Sequence, residues 1–284
     1  MADFGPTITS TQNRWVKFAR SLKRRKVRSE ERAFLVEGVR LFADALDAGA
    51  TPSLLFISVD SEQPALRELA GTAHRRGARV VPVTETVLST LADTQTPQGI
   101  VGVFPFPDLE PQIDTGTPPL FVIADGIRDP GNLGTLIRAA LGAGAHALYV
   151  GPGTTDPFAP KVVRAGMGAH FRLPIHRWEW SVPDPRVARC DLRAAATAHA
   201  STDYDAVDWT TAACIIIGSE ATGLSPAARQ FASATIRIPL AGGLESLNAA
   251  MAGTVILFEA ARQRRAWDLR TSRGEDSVHT RLNA

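Results

Sequence analysis

Residues 214–261 constrain the fold more than any other part of the chain, reading CIIIGSEATGLSPAARQFASATIRIPLAGGLESLNAAMAGTVILFEAA. Two short apolar runs, 214–217 and 235–238, each stop at a small or rigid residue, Gly218 and Pro239. Buried parallel strands behave this way where they meet a ligand crevice. The first run opens into G-S-E-A-T-G and the second into I-P-L-A-G-G-L-E-S-L-N, which leads directly into an apolar helix over 249–261. Glycines concentrate in such loops because the backbone must approach a ligand closely or take a positive φ.

A chain of 284 residues has room for one large domain or two of ordinary size. Alternating strand and helix signals over 33–104 predict a small α/β unit. They comprise an extended F-L-V-E-G, a helix over 39–48, strands at 54–59, 79–83 and 100–104, and helices over 64–76 and 84–91. The stretch PFPDLEPQIDTGTPP has no period and is rich in proline, so residues 107–119 read as a linker between domains 1–106 and 120–265. The second domain resumes with strand 120–124, helix 133–141 and strand 147–150. A proline-interrupted helix around 161–169, an irregular H-R-W-E-W-S-V-P-D-P-R and a weak strand at 194–198 follow. Residues 266–284 read as a flexible polar tail.

Composition narrows the class. No apolar run approaches the roughly 18–20 residues that span a bilayer, and MADFGPTITS lacks the features of a secretory signal. The expectation is a cytoplasmic protein without membrane contact. Cys190 and Cys214 are the two cysteines, one in a polar stretch and one in a buried strand, so no disulfide is expected. The histidines are scattered, and no metal-ligand spacing is present.

The net charge of +2 hides an asymmetry. Arg14, Lys17, Arg20, Lys23, Arg24, Arg25, Lys26, Arg28 and Arg32 face only Glu30 and Glu31. The plain reading is a solvated helix surface. Because Trp15, Phe18 and Leu22 fall at helical spacing, a helix over 11–26 would pack on one side and present charge on the other. A nucleic acid is the partner such a field suits, which makes Arg14, Lys17, Lys23, Arg24, Arg25, Lys26 and Arg28 candidate RNA contacts.

After strand 120–124 comes D-G-I-R-D-P-G-N-L-G-T-L-I-R-A-A, where Pro130 and Gly131 make a turn and Asn132 is a candidate N-cap. Arg138 then sits among apolar neighbours that look buried, where a guanidinium would need a partner. Taken alone, this is a capped helix carrying one surface arginine.

In order along the chain, N-L-G-T-L-I-R, G-S-E-A-T-G and I-P-L-A-G-G-L-E-S-L-N-A-A strongly resemble the three motifs of the SpoU or TrmH family of RNA ribose 2′-O-methyltransferases. The N-terminal K-F-A-R-S-L-K-R-R-K-V-R with F-L-V-E-G-V-R-L resembles the substrate-binding domain of members that modify rRNA, a fold similar to ribosomal RNA-binding proteins. One departure is Ala249 and Ala250, where family members commonly have a small apolar residue and then serine. That puts a hydrogen bond at the helix start in doubt.

The resemblance implies an open parallel α/β sheet whose C-terminal segment forms a deep trefoil knot. It also implies a homodimer, with the knot helices packed together. It implies S-adenosyl-L-methionine (AdoMet) as cofactor, bound by Gly218, Ser219, Ile238, Pro239, Leu240, Ser246, Leu247 and Asn248. Arg138, Asn132, Glu220 and Asn248 become the candidate catalytic set, with Arg138 also contacting RNA and Asn132 orienting Arg138 or the ribose. Since an arginine side chain keeps its charge, a role for Arg138 in holding a phosphate or a developing alkoxide is easier than proton abstraction. The expected substrate is 23S rRNA. The alternatives are a tRNA, or a binding or assembly protein of the same fold that has lost catalysis.

Overall fold

The apolar runs become the strands of two separate sheets in a computed structural model that describes residues 4–61, 63–113 and 116–272. The chain begins with α1 (Arg14–Ser21), α2 (Arg25–Glu31), β1 (Ala33–Glu37), α3 (Val39–Asp47) and β2 (Leu54–Ser58). It continues with α4 (Pro64–Arg75), β3 (Arg79–Val83), α5 (Glu85–Leu91) and β4 (Ile100–Pro105). Then come β5 (Leu120–Asp125), α6 (Pro130–Gly142), β6 (Ala147–Val150), α7 (Pro160–Gly166) and β7 (Ile175–Arg177). The last elements are α8 (Pro185–Ala188), β8 (Leu192–Ala196), β9 (Thr202–Asp203), β10 (Ala213–Gly218), α9 (Pro226–Phe231), β11 (Ala234–Arg237) and α10 (Ala249–Ser272).

These elements fall into two compact units, one of residues 1–109 and 156–172 and one of residues 110–155 and 173–284. The first unit is built on a four-stranded sheet in the order β1-β4-β2-β3, parallel only between β2 and β3. Alternation along its strands feeds two cores. Leu35, Phe56, Val81 and Val103 meet α1 and α5 through Val16, Leu22 and Leu88, whereas Phe34 and Phe104 meet Phe42 and Leu66 of α3 and α4.

Residues 156–172 complete that second core. The sequence places them in domain 120–265, yet Val163 and Phe171 are buried against the first unit's sheet. The Phe34 ring lies 5.1 Å from Phe158 and 5.6 Å from Phe171 between centroids. Each such buried side chain contributes roughly 1.5–3 kcal/mol, so the excursion belongs energetically to the unit whose core it fills.

The helix expected over 11–26 is broken into α1 and α2. Leu22 N and Lys23 N turn back to Ala19 O and Arg20 O, and Arg24 is extended. Arg28 explains why the break holds: its Nη1 donates to Leu22 O at 2.7 Å and Lys23 O at 2.8 Å, pairing carbonyls that the interruption frees. Its Nε and Nη2 reach Asp156 Oδ2 at 2.9 and 2.5 Å. Arg28 is 3 % exposed, so its assignment as an RNA contact is corrected: it ties α1, α2 and the excursion together.

The second unit is a seven-stranded, wholly parallel sheet in the order β7-β6-β5-β10-β8-β11-β9. Phe121, Tyr149 and Cys214 point to one face and pack with Val187 of α8 and Ala228 of α9. On the other face Gly253 of α10 lies so close that a Cβ there would sit 2.6 Å from Leu136 of α6 and 3.4 Å from Ile217 of β10. Both cysteines are buried and unpaired, and burial pushes the Cys214 thiol well up. The helix expected over 249–261 continues to Ser272, so the expected tail is helical at its start, and residues 273–284 lie outside the described residues. No helix among the described residues is long and apolar enough to cross a membrane.

Candidate active site

Strand order dictates where a site can form. The chain runs outward from β5 through β6 to β7, then crosses to β8 and β9 on the other side. After that β10 fills the place beside β5, and β11 the place between β8 and β9. Loops at the C-terminal ends of β5 and β10 diverge at this switch point and leave a crevice. The first two motifs follow these two strands, and the third follows β11.

Asp125 at the end of β5 stands opposite Gly218 at the end of β10. Its buried carboxylate accepts from Ser225 N at 2.7 Å and from Ser225 Oγ at 3.1 Å. Ser225 is in turn the N-cap of α9, accepting from Ala228 N at 3.1 Å. Both ends of loop 219–224 are thereby anchored beside β5. Inside it, Ser219 and Gly223 exchange backbone hydrogen bonds of 3.1 and 2.8 Å. A Cβ on Gly218 would lie 2.7 Å from the Gly223 carbonyl carbon, so only glycine permits this closure.

A cleft of ≈ 910 Å³ opens over these loops, lined by Gly218, Ser219, Ile238, Pro239, Leu240, Ser246 and Leu247 among others. Beside it a chain of neutral and acidic groups crosses all three motifs. Asn248 Nδ2 donates to Asn132 Oδ1 at 2.9 Å, Asn132 Nδ2 donates to Glu220 Oε1, and Ala249 N donates to the same carboxylate oxygen at 3.3 Å. Asn248 Oδ1 also accepts from Ala250 N at 3.0 Å and Met251 N at 3.2 Å. The first amides of α10 are thus served by Asn248 and Glu220, and Ala249 and Ala250 leave none of them short of an acceptor.

The family model for the SpoU rRNA Methylase family matches residues 119–258, and that for an MRM3-like substrate binding domain matches residues 13–102. "rRNA methyltransferase 3, mitochondrial" of Homo sapiens is 36% identical over 302 aligned positions, which cover 86% of this chain and 71% of that protein. The chain belongs to the SpoU rRNA methylase family. A "23S rRNA (uridine(2479)-2'-O)-methyltransferase" of Streptomyces viridochromogenes is 34% identical, with 90% of this chain and 92% of that one covered. The crystal structure of an AdoMet-bound rRNA methyltransferase from Sinorhizobium meliloti superposes with a TM-score of 0.75 at 36% identity, over 90% of this chain and 97% of that one.

Against the SpoU motifs, the structure gathers Asn132, Glu220 and Asn248 and leaves Arg138 apart. Asn132 is not the N-cap of α6; Asp129 is, accepting from Asn132 N at 2.8 Å. The Asn132 amide is engaged by Glu220 and Asn248, so it does not orient Arg138. Arg138 is exposed on α6 between buried Ile137 and Ala139, and among the described residues it makes no hydrogen bond or ion pair. Its apolar neighbours face the core while it faces outward, which removes the need for a partner. Asn248, expected at the cofactor, lies outside the cleft lining and serves the helix cap and Asn132.

Sequence reading missed the rim formed by Thr197, Ala198 and His199, and also Arg229. Because β8 lies between β10 and β11, the loop that follows it must emerge between the two motif loops. The only signal is the end of a weak small-residue strand, L-R-A-A-A, at T-A-H. In the SpoU protein's first unit, Arg14, Lys17, Lys23, Arg24, Arg25 and Lys26 are exposed. Lys23 Nζ also donates to Ala92 O at 2.6 Å, and Lys26 lies 3.8 Å from Glu30.

Proposed function

We propose that this protein methylates a ribose 2′ hydroxyl of large-subunit rRNA, with AdoMet as methyl donor. The observation that carries the reading is the junction of the three motif loops: the Asn132–Glu220–Asn248 hydrogen-bond chain beside a cleft lined by Gly218, Ile238, Leu240 and Leu247. AdoMet fits that cleft, because its mixed apolar and polar lining suits an adenosine, and Gly218 lets loop 219–224 close beside it. When bound, it supplies an electrophilic methyl group on a sulfonium, so the chain's own residues have to align reactants and manage one proton.

Gly218, Ser219, Ile238, Pro239, Leu240, Ser246 and Leu247 would hold the adenosine. The Asn132–Glu220–Asn248 chain locks the three loops into one arrangement, preorganised before substrate arrives. Arg138, charged and unpaired, takes an RNA phosphate or steadies the negative charge developing on the ribose oxygen. The proton leaves to water or to a neighbouring base.

The substrate class rests on the relatives, an rRNA methyltransferase and a 23S rRNA 2′-O-methyltransferase, and on the basic first unit. The active form is a homodimer through α10, with the family's deep trefoil knot formed where the C-terminal segment threads a loop of the second unit. Met251, Val255 and Phe258, 58, 38 and 45% exposed, form an apolar stripe at spacings of four and three residues that supports this pairing. Labelled AdoMet and total RNA, followed by mapping of ribose methylation, tests the whole reading. Label in one 23S nucleotide is the expected result; label in tRNA, or none, would replace it with one of the alternatives.

A further inference from the structure

Trp15 carries two arginines. The Arg14 guanidinium carbon stands 4.4 Å from the indole centroid and that of Arg79 stands 4.9 Å from it. One belongs to the first turn of α1, and the other begins β3, an edge strand of the first unit's sheet. Trp15 is half-buried against the core that α1 and α5 share, which holds its ring, and its backbone N–H donates to the N-cap Asn13 Oδ1 at 2.9 Å. Among the described residues no carboxylate pairs with either guanidinium, and both arginines are exposed.

Two like charges beside one aromatic ring repel each other, and attraction to the ring, about 0.5–1 kcal/mol per exposed contact, offsets that repulsion. A stacked guanidinium keeps its N–H edge free, and that fork matches two phosphate oxygens. Stacking also restricts the side chain before any ligand binds, so less freedom is lost on binding. Lys17, Arg24 and Arg25, all exposed, extend the same positive field along α1 and α2.

We propose that Arg14, Trp15 and Arg79 form a phosphate platform that docks the RNA backbone on the first unit. This rests on the RNA methyltransferase reading and adds to it a strand residue and an aromatic support outside the basic run. The platform reads charge and not base identity, since guanidinium groups occupy the indole. It sets affinity and register, while the second unit performs the transfer.

The test is fluorescence anisotropy of the full-length protein with a labelled 23S rRNA fragment over a salt series, alongside calorimetric titration with AdoMet. Arg79→Gln is expected to weaken RNA binding about threefold to tenfold near 0.1 M salt and to lower the log–log salt slope by about 0.7–1. Trp15→Leu should reproduce the loss and Trp15→Phe should restore most of it, with AdoMet affinity unchanged throughout. If Trp15→Leu lowers the melting temperature, the exposed Arg14→Gln and Arg79→Gln variants decide. Wild-type RNA affinity and slope in both would overturn the platform while leaving the enzyme reading intact. A wild-type protein that binds AdoMet but no RNA would overturn both.

Discussion

Arg28 and Arg138 exchange the roles that their neighbours in the sequence suggest. Arg28 stands in a run of cations and looks like one more solvated charge, yet it is buried, with its donors on two carbonyls and a carboxylate. Arg138 stands in L-I-R-A-A-L and looks buried, yet it is exposed and without a partner among the described residues. The difference lies in what each helix packs against. α2 is short and wedged between the end of α1 and Asp156, whereas α6 turns one apolar stripe to α10 and leaves the other free. An arginine whose guanidinium makes four hydrogen bonds inside a protein holds structure; one that makes none is available for a ligand.

The largest expected effect separates the two directly. Arg28→Ala leaves the half-buried Asp156 without its cation and frees two carbonyls, so it should destabilise the first unit by about 3 kcal/mol. Chemical denaturation followed by far-UV circular dichroism would measure this, with AdoMet affinity of the remaining folded protein unchanged. A loss below 1 kcal/mol would mean that the pair is not structural.

Arg138→Lys should do the reverse, keeping the melting temperature and AdoMet affinity while lowering single-turnover methyl transfer by about 10²–10³-fold, or roughly 3–4 kcal/mol of transition-state stabilisation. Near wild-type transfer by this variant would remove Arg138 from the mechanism.

The segment that Arg28 anchors carries a pH dependence of its own. His170 is buried among Phe34 and Phe158, its Nε2 donates to Pro157 O at 2.8 Å, and Nδ1 has no partner among the described residues. Burial pushes its pKa down to about 4. The unfolded chain therefore takes up the proton first, and stability present above pH 6.5 is lost as the pH falls towards 4. The loss amounts to at most about 3 kcal/mol. Replacing His170 with phenylalanine should flatten that limb of the stability profile; an unchanged profile would assign it to another group.

A smaller effect sharpens the other half of the comparison. Asp125→Asn keeps one acceptor for Ser225 but loses the charge-assisted bonds, worth about 1–2 kcal/mol. Loop 219–224 should loosen and AdoMet affinity should fall about tenfold by calorimetry, while RNA affinity stays. If RNA affinity fell equally, the bond would be supporting the fold at large and not the cofactor loop.

The sequence by itself determined the strands at 214–217 and 235–238, the loops after them and the long helix that follows. Local rules govern each of these: apolar runs bounded by glycine or proline. Motif resemblance then named the family from residues of which Asn132, Glu220 and Asn248 lie together. Three features needed the tertiary structure. Residues 156–172 fill the core of the first unit although they lie beyond its apparent end, because burial depends on which surface a segment reaches and not on its place in the chain. The 197–199 rim exists because β8 pairs between β10 and β11, and strand order leaves almost no local trace. The contrast between Arg28 and Arg138 arises the same way: both are charged residues on helices, and only the packing of those helices decides which charge is enclosed and which is offered to a substrate.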